Sequence, residues 1–64
     1  MKKYHIKVIG AEKTNYTIEA ESISISSAGL YEFVNYVNGK GVVVAYFPVA
    51  RTIIYQIEDL SNED

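Results

Sequence analysis

The chain contains no cysteine and no tryptophan, and it has a single proline, a single methionine and a single histidine. Without cysteine, disulfides and thiolate metal sites are excluded, and one histidine cannot by itself build a protein-only zinc centre. No stretch approaches the ~20 consecutive apolar residues that cross a bilayer as a helix. The start, MKKYHIKVIG, has positive charge but no apolar run long enough for a secretion signal. These absences lead us to expect a cytoplasmic protein with no cofactor and no membrane partner. Positive charge is also scarce: six Lys and Arg stand against eight Asp and Glu, giving a net charge of −2. Such a chain lacks the basic footprint of a phosphate-backbone binder, so nucleic acid is not an expected partner.

Catalytic arrangements are missing as well. His5 has no second histidine or cysteine with which to form a site, and it alternates with Tyr4 and Ile6 as an outward strand residue would. Ser22, Ser24, Ser26 and Ser27 form no nucleophile elbow, and no glycine spacing cradles a phosphate ahead of a helix. The reading is therefore non-enzymatic.

The chain is rich in strand-forming residues. Tyr4, Ile6 and Val8 alternate with His5, Lys7 and Ile9 as a first strand ending near Gly10, and Tyr16, Ile18 and Ala20 alternate with Thr17, Glu19 and Glu21 as a second. Ile23 and Ile25 then fall out of phase, which predicts a bulge or sharp bend near Glu21-Ser22. The segment LYEFVNYV after the Ser26–Gly29 turn has helical spacing at Leu30, Phe33, Val34 and Val37. Its residues are poor helix formers and it is only two turns long, so strand is the better reading. Asn38-Gly39 supplies the positive φ angles of a tight hairpin between this strand and a strand over residues 41–47. Pro48 ends that strand, Val49-Ala50-Arg51 crosses over, and Thr52 to Glu58 forms the last one.

The whole reads as one all-β domain over residues 1–60, with a disordered acidic tail over 61–64. Five or six short antiparallel strands follow in meander order, making a small barrel or a strongly curved sheet.

The run from Gly41 to Glu58 is the exceptional part. Val43, Ala45 and Phe47 fall on one face of an alternating strand, and Val42, Val44 and Tyr46 on the other, so both faces are apolar. A 64-residue chain is at the small end of what folds alone, and the second face calls for a partner. We therefore expect a homodimer, with Val34, Tyr36, Val42, Val44, Tyr46 and Ile54 as interface residues. Tyr16 and Tyr55, in phase with isoleucines, are expected to be buried. Arg51, the only arginine, and Lys40 are the candidates for a partner or ligand contact.

The succession IEAESISIS, a turn, GLYEFVN, VVVAYFP and a closing TIIYQIE resembles a recurrent type of small phage and prophage protein, over Tyr16 to Glu58. The likeness lies in hydrophobic pattern and turn placement, with no functional motif from which site residues could be carried over. It implies a barrel similar to SH3 or Sm domains and a homodimer. It also implies the role of a counter-defence inhibitor that docks on a host or bacterial defence protein, as in inhibitors of the Hachiman system. Two other functions remain open: a small-ligand or nucleotide-binding sponge with Arg51 and Lys40 at a protomer seam, and a structural or virion-associated component.

Overall fold

The computed structural model describes residues 1–60; the expected acidic tail lies outside them. Six strands run in order: β1 Lys2–Val8, β2 Asn15–Ala20, β3 Ser22–Ile25, β4 Leu30–Val37, β5 Lys40–Pro48 and β6 Thr52–Asp59. A 3-10 turn, Val49–Arg51, joins the last two. The strands form two three-stranded antiparallel sheets, ordered β2-β1-β6 and β3-β4-β5. The fold is all-β as read from the sequence and the segment 30–37 is strand, but strict meander order holds only for β3-β4-β5, since β6 returns to pair with β1.

The phase slip at Glu21-Ser22 is the point where the chain changes sheets. β2 ends at Ala20 in one sheet and β3 begins at Ser22 in the other, with Glu21 as the only residue between them. The corner is fixed by β4: the Glu21 amide donates to the Val34 carbonyl at 3.0 Å and to Asn35 Oδ1 at 2.9 Å. A bend of one residue reverses which side chains face inward. Ala20 is therefore buried from one sheet, while Ile23 packs against the core from the other.

Turn chemistry follows the sequence closely. Asn38 and Gly39 both take positive φ, 53° and 80°, the geometry of a two-residue primed turn whose twist matches its strands. At the other end of β4, Ser26 Oγ accepts from the amides of Ala28 and Leu30, and the Gly29 amide returns to the Ser26 carbonyl. Gly29, at φ 80°, makes that closure possible.

The core lies between the sheets. Tyr4, Ile6 and Val8 of β1, Ala20 of β2 and Phe33 of β4 are buried, with Tyr16, Ile18, Ile23, Tyr31, Ala45, Phe47 and Ile54 packed around them. Phe33 is its centre: its ring meets Tyr4 edge-on at 5.0 Å and Phe47 at 6.0 Å, and Tyr16 lies 5.1 Å from Phe47. Such aromatic pairs add about 0.5–1.5 kcal/mol each beyond the area they bury. Thr52 is buried too, and its hydroxyl donates to the Pro48 carbonyl at 2.6 Å; among the described residues no buried side-chain polar atom lacks a partner.

Two bulges change the facing expected from strict alternation. In β5 the register shifts between Phe33 and Val34, with Ala45 opposite Phe33 and Val43 opposite Val34, which makes Val44 the extra residue. Val43 therefore shares a face with Tyr46, and Val42, opposite Asn35, shares the face of Ala45 and Phe47. This corrects the expected grouping of Val42 with Tyr46 and of Val43 with Phe47. In β6 the shift lies between His5 and Ile6, with Tyr55 as the extra residue between Ile54 and Gln56. Tyr55 is exposed, not buried as its phase with isoleucines suggested, and the inward residues of β6 are Thr52 and Ile54.

Candidate interaction surface

β5 and β6 each pair with one neighbour only and not with each other, so each ends its own sheet as an open edge. The molecule spans 38 × 26 × 15 Å. Its thin dimension accommodates a single packed layer between two sheets, which in proteins lie ~10 Å apart, so only one face of each sheet can be covered.

The consequence falls on β5. Val42, Val43 and Val44 are 43 %, 44 % and 47 % exposed, and Tyr46 is 64 % exposed. Tyr36 and Val37, across the hairpin, are exposed as well. Between Gly41 and Pro48 the strand carries no charge, and Lys40 sits at its turn end. On the outer face Val34, Tyr36, Val43 and Tyr46 stand on two adjacent strands. The Tyr36 ring covers Gly41, where an added Cβ would lie 3.4 Å from its Cε1 and 3.3 Å from Val34 Cγ1. That packing fills the gap a glycine leaves in a strand.

Of the six candidate interface residues, Tyr36, Val42, Val44 and Tyr46 are exposed on the β4-β5 hairpin and Val34 is half-buried there. Ile54 is placed differently. It lies opposite Ile6 and packs against the core, so it belongs to the interior and not to this surface. The exposed large apolar residues of β6 are Ile53, Tyr55 and Ile57.

Lys40 and Arg51 are exposed at opposite ends of β5. Eight residue steps of extended chain from Lys40 to Pro48 span about 26 Å, so one copy does not bring the two cations together. Arg51 is tied to the first turn instead: its carbonyl accepts from the Ile9 amide at 2.8 Å, and its guanidinium lies 3.6 Å from where a Cβ on Gly10 would be.

His5 was read as an outward strand residue, and it does point away from the core. Its Nε2 lies 2.6 Å from Glu58 Oε2, linking β1 to β6, and its ring is 6.1 Å from that of Tyr55. Sequence spacing could not show this pair, because the partners are 53 residues apart. Among the described residues, no three His, Cys, Asp or Glu side chains gather as a metal site and no enclosed pocket forms. No family model, curated protein or solved structure matches the chain.

Proposed function

We propose that this protein is a non-enzymatic interaction module that acts by docking its β4-β5 hairpin onto another protein. One observation carries the reading: an edge strand with no charge between Gly41 and Pro48, whose Val42, Val43, Val44 and Tyr46 all stand in solvent, on both faces of the sheet. Monomeric proteins guard such edges with charges, proline or a covering segment, and a contiguous exposed apolar strand marks a contact surface. Tyrosine supports this, since its apolar ring and polar tip suit a partly wet interface. Within this reading, the resemblance noted above supplies the class of target, a host or bacterial defence protein, and the hairpin supplies the means of holding it.

The test replaces Tyr46 with a photoreactive phenylalanine in the full chain and irradiates it in the cells that make it. A discrete adduct with a second protein is expected. The same label at Thr17, an exposed polar position on β2, is expected to give none. Equal labelling from both positions would remove the docking surface from the hairpin.

A further inference from the structure

Resting on that reading, we infer that the open edge of β5 pairs antiparallel with the same strand of a second copy, joining two molecules into one continuous sheet across a two-fold axis at Val43. The backbone supplies the first reason. The two-residue turn makes Val37 and Lys40 a hydrogen-bonded pair, and bonded and non-bonded pairs then alternate along an antiparallel ladder. Gly41 and Val43 fall in non-bonded pairs with β4, and beyond the bulge Tyr46 does too. Each of these residues turns its N–H and C=O toward the open edge, where no strand of the chain meets them.

These three positions complement themselves. With Val43 opposite Val43 of the second copy, Tyr46 falls opposite Gly41 and Gly41 opposite Tyr46, the Val44 bulge in each strand absorbing the extra residue. Gly41 adds no side chain of its own to the outer face, so an incoming tyrosine ring meets the Tyr36 ring that covers it.

Side-chain chemistry selects the same occupant. A strand added beside β5 places its residues next to exposed valines on both faces, so it must itself be apolar on both faces. Val42–Phe47 has that pattern; Ile53–Tyr55 of β6 has it too, but that strand ends in Glu58 and Asp59. The pairing also meets no like charges, because the one charge of each β5, Lys40, lies beyond the Gly41–Tyr46 pair at either end. The other open edges are better guarded: β2 presents Glu19, β6 ends in Glu58 and Asp59, and β3 is only four residues long.

The experiment is amide hydrogen exchange on the unmodified chain at about 1 and 300 μM, alongside sedimentation velocity of wild type and V43K. Val43 is exposed, so the lysine is compatible with the folded single copy. Expected are a dimer in the wild type, exchange at Gly41, Val43 and Tyr46 at least tenfold slower at the higher concentration, unchanged exchange along β3, and association at least tenfold weaker in V43K. A dimer whose three amides exchange equally fast at both concentrations would overturn edge pairing and leave the docking surface standing. A wild-type chain that sediments as a monomer at 300 μM would overturn the dimer itself. In the irradiated cells an adduct of the Tyr46 label at twice the chain mass reports the second copy, and an adduct with a different protein reports the foreign target, so the two readings fail separately.

Discussion

β1 and β5 are both strands of alternating apolar character, yet the molecule treats them in opposite ways. β1 is flanked on both edges, by β2 and β6, and Tyr4, Ile6 and Val8 are buried while Lys3, His5 and Lys7 face outward. β5 has one neighbour and exposes apolar side chains on both faces. The difference shows that this fold puts its stability into one layer of contacts around β1 and Phe33, to which the β4-β5 hairpin adds Tyr31, Ala45 and Phe47 while Val43, Val44 and Tyr46 stay uncovered.

That contrast can be broken most strongly at its buried pole. Phe33→Ala, which empties the space between Tyr4 and Phe47, is expected to lose about 3–5 kcal/mol in urea unfolding, enough to leave a domain of this size largely unfolded. A loss under 1 kcal/mol would mean that the core is not centred there. Gly39→Ala tests whether the hairpin is held by its turn: forcing a Cβ into φ 80° should cost roughly 1–2 kcal/mol by the same measurement. The corner between the sheets is probed by Asn35→Ala. It removes the carbonyl that receives the Glu21 amide and should cost about 1 kcal/mol, the remaining Val34 bond limiting the damage. At the exposed pole the sign of the comparison is sharpest. Val42→Ala should change the stability of the dilute single chain by no more than about 0.5 kcal/mol. A Glu58→Gln and His5→Gln double-mutant cycle should likewise return a coupling below about 1 kcal/mol, since both side chains remain partly in water.

Much of this contrast could be read from residues alone. The Asn38-Gly39 turn, the stop at Pro48 and the bend at Glu21 each rest on a local conformational rule, and local rules survive into the fold. The faces of β5 and β6 were not legible. In VVVA and TIIYQI every register offers an apolar residue to the core, so hydrophobic pattern cannot show where a bulge inserts Val44 or Tyr55. Ile54 was consequently assigned to the surface and Tyr55 to the interior. The burial of Thr52 was equally hidden, because it depends on a hydroxyl bond to Pro48, a carbonyl brought round by the 3-10 turn.

The pairing of β1 with β6 carries one more consequence. Every other ladder in the molecule joins strands that follow each other closely in sequence, whereas this one brings together segments about fifty residues apart, its end marked by the Leu60 amide on the Met1 carbonyl at 3.0 Å. Closing so large a loop is slow compared with forming a hairpin. The β3-β4-β5 meander can therefore assemble before β1 acquires its second neighbour. On such a route the apolar hairpin is finished first, and its valines stand in solvent while the two ends of the chain are still apart.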